Sequence, residues 1–201
     1  WVPDSYLTAH GFLDEKTGQA YSPATYADHA GGLFLVALEG NGRIYAYALD
    51  HTSGAFTQVA SFASGFPGVM DLQFESETDQ LWVVCDDTCT GRTGAFEVET
   101  APGATQGTFV SRTYYERPAG MPNLNNEGFA ITPRSECVDG SKPVFWTDDS
   151  NTDTHALRVG TITCTPRIAQ NVAFDSTLPT PVVGETYEAT ATGGASGNPV
   201  V

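Results

Sequence analysis

Positive charge is scarce in this 201-residue sequence: nine Lys and Arg stand against 24 Asp and Glu, a net charge of -15. Binding nucleic acid requires clustered Lys and Arg that displace counterions. No such cluster is present, so the sequence argues against a nucleic-acid partner. An anionic membrane surface would repel the chain, and no run of 18 apolar residues offers a transmembrane helix. Trp1 opens no signal-peptide pattern, which fits a mature secreted chain or a fragment of one. The 3.6-residue apolar period of a helix is missing from every three-turn window. Catalytic motifs are missing too: there is no Gly-x-Ser-x-Gly elbow and no His-Glu-x-x-His, P-loop or Rossmann glycine pattern. The four histidines (His10, His29, His51 and His155) share no spacing. Asp153-Thr-His155 reads as a chance surface pair.

What remains is a stretch that occurs three times: Leu33-Phe-Leu-Val-Ala-Leu-Glu39, Leu81-Trp-Val-Val-Cys-Asp-Asp87 and Val144-Phe-Trp-Thr-Asp-Asp149. Each is a short apolar run that ends on a carboxylate. Aligning Glu39, Asp86 and Asp148 gives periods of about 47 and 62 residues, the size of repeated small sheets such as propeller blades. Glycines (21) and prolines (12) cut the chain into short pieces, and the expected class is all-β.

Taken in order, the chain predicts one strand near residues 6–12 and a hairpin turn at 13–18. Strands then follow at 33–39, 43–49 and 56–62, with Gly40-Asn-Gly42 as a strong hairpin signal. A second set lies at 69–74, 81–86, 93–98 and 108–115. A third lies at 125–131, 144–148 and 155–162, with an insertion at 133–143. This amounts to a partial β-propeller of about three antiparallel blades over residues 1–165. Residues 166–201 differ in style, being rich in Thr, Ala, Gly and Val, with strands expected at 172–174 and 187–192. Three blades cannot close a ring, since propellers close with roughly four to eight. The expectation is therefore an interior fragment of a longer protein, or one piece of an assembly whose remaining blades come from the same protein or another chain.

Four cysteines allow three pairings, of which Cys85–Cys89 with Cys137–Cys164 is favoured. Disulfides imply an oxidising compartment, and with the acidity they point to an extracellular, secreted or wall-associated protein.

Several segments resemble secreted bacterial proteins with a phytase-like β-propeller, of the "esterase-like activity of phytase" kind. They are Gly68-Val-Met-Asp-Leu-Gln-Phe74, Leu81-Trp-Val-Val-Cys-Asp-Asp-Thr-Cys89, Tyr115-Glu-Arg-Pro-Ala-Gly120, Asn125-Asn-Glu-Gly-Phe-Ala130 and Phe145-Trp-Thr-Asp-Asp149. Pro179-Thr-Pro-Val-Val-Gly-Glu-Thr-Tyr187 resembles the start of a bacterial immunoglobulin-like domain. The resemblance implies phosphate-ester or carboxylic-ester hydrolysis, with calcium in the propeller channel.

Hard cations take several oxygen ligands at about 2.3–2.6 Å. Glu127, Asp86, Asp87, Asp148 and Asp149 are the candidate calcium ligands. The alternative is that the Asp-Asp pairs end strands and form Asx turns. Arg117 is the candidate contact for an ester oxygen, against a loop-bracing role. Two functions remain open: a calcium-dependent, phytase-like hydrolase, or a non-catalytic extracellular binding or surface module with structural calcium.

Overall fold

The computed structural model describes residues 1–26, 29, 31–149, 152–164, 173–174 and 191–192. The chain divides into two compact units, Trp1–Cys164 and Thr165–Val201.

The first unit is mostly β, built from successive antiparallel sheets, none of which closes on itself. The first sheet has the order β1-β4-β5-β6, with β1 at Val2–Pro3, β4 at Gly32–Leu38, β5 at Arg43–Leu49 and β6 at Phe56–Ala63. The second is an up-and-down meander of β7 (Asp71–Glu75), β8 (Gln80–Val84), β9 (Thr93–Val98) and β10 (Phe109–Tyr115). The third runs β11 (Asn126–Ile131), β12 (Ser141–Asp148) and β13 (Leu157–Thr163). β2 (Leu13–Asp14) and β3 (Gln19–Ala20) form the predicted small hairpin. The three repeats occupy β4, β8 and β12, the second strand of each sheet. Gly42 sits at the predicted hairpin turn with φ +63°, and a Cβ there would collide with the Phe66 carbonyl, so only glycine fits.

The segment expected as a strand at 6–12 is instead a helix, α1, over Asp4–Ala9. Pro3 fixes an extended φ and ends β1, and Asp4 suits the first helical turn. One turn then delivers Tyr6 and Leu7 together into the core. The expectation failed because a six-residue helix is too short to show a period. The expected insertion at 133–143 is also shorter than read. It makes one 3-10 turn at Arg134–Glu136, and β12 already begins at Ser141.

Two hydrophobic cores separate the sheets. Leu33, Leu35, Ile44 and Phe62 of the first sheet meet Leu81, Val83, Phe96 and Val98 of the second, with Tyr6, Leu7 and Phe12. The other face of the second sheet (Trp82, Val84 and Ala95) meets Phe129, Ile131, Val144 and Trp146 of the third. β8 therefore reads as a continuous apolar run because both its faces are covered. The sheets are also joined polar-to-polar. Asp71 Oδ2 accepts from the Phe129 amide at 2.6 Å, and Gln73 Oε1 accepts from the Ile131 amide at 2.8 Å.

Cys85 is bonded to Cys89 and Cys137 to Cys164, with Cα–Cα separations of 6.1 Å in both. No helix among the described residues is long and apolar enough to cross a membrane.

In the second unit, β14 (Ala173–Phe174) pairs antiparallel with β15 (Ala191–Thr192). These lie within the two strands expected there. The rest of the expected immunoglobulin-like start, including Pro179–Tyr187, lies outside the described residues.

Candidate functional site

Which face each repeat residue presents fixes how the repeats correspond. Leu81 and Val83 face the preceding sheet, and so do Val144 and Trp146. Val144 therefore matches Leu81, and Asp149, not Asp148, matches Asp86. The alignment on Asp148 is one residue off, because a strand shifted by one residue exchanges its two faces. Asp148 instead points inward and pairs with Arg158 at 3.4 Å.

The correctly matched acids gather at one end of the sheets. Glu127 sits at a β-bulge near the start of β11, where the register shifts between Asn126 and Gly128. Its carboxyl is held above the usual range, first by desolvation and then by the charges of Asp149, Glu39 and Asp86, against a lowering bond from Asn125. The Asn125 amide bridges two of these acids, donating to Glu127 Oε1 at 3.1 Å and Asp149 Oδ2 at 3.2 Å. Gly68 threads past the Glu39 carbonyl and Asp86 Oδ2, where an added Cβ would stand 3.0 and 3.6 Å from them.

The acids keep separate commitments. Asp86 is buried, and its Oδ1 caps the 3-10 turn Asp87–Cys89 by accepting from the Thr88 amide at 2.9 Å. That is the turn-forming role weighed against a ligand role. Asp87 is exposed, and its carbonyl accepts from Asn123 Nδ2 at 2.9 Å. Among the described residues, the one set of three or more His, Cys, Asp or Glu ligand atoms within 4.8 Å is Cys85, Asp86 and Cys89. The two sulfurs of that set are bonded to each other, so it is no ligand set. Among the described residues, Glu127, Asp87, Asp148 and Asp149 belong to no set of three or more such ligand atoms within 4.8 Å of one another.

Arg117 braces loops. Its guanidinium donates to the carbonyls of Met121 (2.6 Å) and Thr90 (2.9 Å) and to Asn123 Oδ1 (2.8 Å). Lys142 is buried against Glu75.

A second polar group was missed because its members are scattered along the sequence. His29 Nε2 lies 2.9 Å from Asp4 Oδ2, and His29 Nδ1 donates to the Tyr26 carbonyl at 2.6 Å. Tyr21 donates to Asp4 Oδ1 at 2.8 Å, and Tyr26 donates to the buried Asp14 at 2.7 Å. A cleft of about 480 Å³ lies beside this group, lined by Lys16, Tyr26, His29, Asp50 and Phe56 among others. Both imidazole nitrogens are engaged, so His29 ties Asp4 of α1 to Tyr21 and Tyr26. Asp153 and His155 are exposed.

The phenols carry a pH prediction. Burial pushes the Tyr6 phenol up to about 12 from 10.0. Burial and Asp4 raise Tyr21, and burial and Asp14 raise Tyr26. Each phenol is held neutral by the fold, so its contribution is full below the unfolded value and is lost as pH climbs through the window above it. Urea midpoints should hold to about pH 9 and fall steeply from about 10 to 12, with Tyr6 alone accounting for about 3 kcal/mol. A Tyr6→Phe variant whose stability falls from about pH 10 to 12 as much as that of the unchanged protein would refute the share given to Tyr6.

The fold defines a mostly-β protein of successive up-and-down sheets with an acid-lined end. Compared with known protein families, curated proteins and solved structures, the chain has no match in any of the three.

Proposed function

We propose that this chain is an extracellular, non-catalytic binding module of β-propeller type, whose acid-lined end attracts a divalent cation without hydrolysing an ester. Three consecutive antiparallel sheets support the propeller reading, as do the repeat on each second strand and the side-by-side first strands β7 and β11. The disulfides support an oxidising compartment.

The observation that carries the reading is the pairing of a converging acid set with a committed cation set. Glu39, Asp86 and Asp149 act on Glu127, while Arg117, Lys142 and Arg158 are all engaged with internal partners. Ester-phosphate hydrolysis needs donors aimed at the developing charge. The charges that act most on Glu127 come from the acids Asp149, Glu39 and Asp86, which repel such a substrate. A calcium ion, where bound, would be held by Glu127 and Asp149 with Asn125 between them, and would relieve their mutual repulsion.

The experiment pairs calcium titration with assays on p-nitrophenyl phosphate and p-nitrophenyl acetate. Calcium is expected to raise the melting temperature, Glu127→Gln is expected to weaken that shift, and neither substrate should turn over above background. Calcium-dependent turnover abolished by Glu127→Gln would overturn the reading in favour of the hydrolase.

A further inference from the structure

The cleft of about 480 Å³ beside the Asp4–His29–Tyr21 group shares no residue with the acid-lined end. Its size falls in the range of small-molecule sites, roughly 300–1,000 Å³. Both of its walls are held from behind. On one wall, Asp14, only 1% exposed, accepts from the amides of Lys16 (2.9 Å) and Thr17 (3.1 Å) through Oδ1 and from the Tyr26 hydroxyl (2.7 Å) through Oδ2. One buried carboxylate thus fixes the Lys16 turn and the Tyr26 ring together. On the other wall, Asp50 Oδ1 accepts from the amides of Thr52 (2.8 Å) and Ser53 (3.2 Å), and the Ser53 hydroxyl donates to Oδ2. A backbone bridge between His29 and Asp50 joins the two walls. Phe56 lines the cleft yet is 70% exposed, and Tyr47 braces its ring edge-on at 5.7 Å between centroids.

The lining pairs opposite charges with hydroxyls. The Lys16 ammonium carries N–H donors only. A carboxylate has about four acceptor positions, and three of those on Asp50 are taken within its own turn, which leaves one on Oδ2. Thr25 and Thr57 add hydroxyls that can both donate and accept. The exposed Phe56 ring supplies one flat apolar surface. An anion in this cleft would meet Asp50, and a cation would meet Lys16. A wholly apolar ligand would strip water from both charges and replace none of its bonds. A neutral sugar ring satisfies the whole set: its C–H face covers an aromatic ring, while its hydroxyls donate to Asp50 and accept from Lys16.

We infer that this cleft binds a neutral pyranose unit of a glycan, stacked on Phe56 and held by hydroxyl bonds to Lys16 and Asp50. The site is additional to the cation-binding end and does not rest on it.

The test is a titration of the isotope-labelled 201-residue chain with cellotetraose, maltotetraose, mannotetraose and N-acetylchitotetraose, read by amide NMR shifts, with tetragalacturonate as the charged counterpart. At least one neutral sugar is expected to move the amides of Lys16, Thr17 and Phe56, with a Kd of about 1 mM or tighter. Phe56→Ala changes an exposed side chain, and Asp50→Asn keeps the Oδ1 acceptor of the turn. Both variants should therefore fold as the unchanged protein does, as checked by circular dichroism, and both should bind about tenfold more weakly. The inference is overturned by no shift with any of the four sugars, by shifts confined to other residues, or by binding unaltered in Phe56→Ala. Tetragalacturonate that binds as tightly as the neutral sugars overturns it too. Phe56→Ala should leave the calcium-induced rise in melting temperature unchanged, so this site and the acid-lined end fail separately.

Discussion

Lys142→Met should destabilise the first unit by about 3–5 kcal/mol, the cost of leaving one partner of a buried ion pair alone. Lys142 comes from β12 and Glu75 from β7, so the pair ties the third sheet to the second. Both are almost fully buried, at 2% and 6% exposure. Glu75 Oε2 also accepts from the Trp82 indole at 3.1 Å and from the Thr78 hydroxyl at 2.9 Å. Losing the ammonium strands a carboxylate whose other bonds cannot balance its charge. Adding Glu75→Gln to Lys142→Met should recover most of the loss, because the amide keeps an acceptor for Trp82 and Thr78 and carries no charge. Urea denaturation of the two single variants and the double variant measures the coupling. Single effects that simply add would show that the pair is not the source of the loss.

Removing the Cys137–Cys164 disulfide by Cys137→Ser with Cys164→Ser should lower stability by about 3.5 kcal/mol in the chain-entropy model. The bonded residues lie 27 apart and enclose β12 and β13, so the bond restrains a long loop in the unfolded chain. Cys85–Cys89 spans a separation of only 4, and its removal should lower stability by about 2 kcal/mol. The denaturant slope should rise more for the long loop, as its unfolded chain exposes more surface. Equal losses from the two pairs would contradict a loop-length origin.

The long meanders were legible in the sequence because their strands are joined by short turns with strong signals, such as Asn41-Gly42. The apolar runs at β4, β8 and β12 announced both the strands and their repetition. Helix α1 was not legible, because one turn of helix has no period and its start is set by β1 pairing with a strand about thirty residues away. Of the site, the sequence named Glu127 together with Asp149 and Asp86, two of the acids whose charges act on it. Glu39 was visible as a repeat end but not recognised as a neighbour of Glu127. Asp148 was assigned to the wrong face because two adjacent aspartates leave the register open to a one-residue slip. The Asp4–His29–Tyr21 group has no sequence signature, since its members meet only through tertiary packing.

The bonds from Asp71 and Gln73 to β11 have a further consequence. The two side chains are two residues apart on β7, and the amides they meet, Phe129 and Ile131, are two residues apart on β11. Gln73 Nε2 also donates back to the Ile131 carbonyl at 3.2 Å. Neighbouring sheets that met only through apolar side chains could slip along one another smoothly. Here the side chains act as a toothed rack. A one-residue slip breaks every tooth and a two-residue slip re-engages only one, so the relative position of the second and third sheets is set in discrete steps.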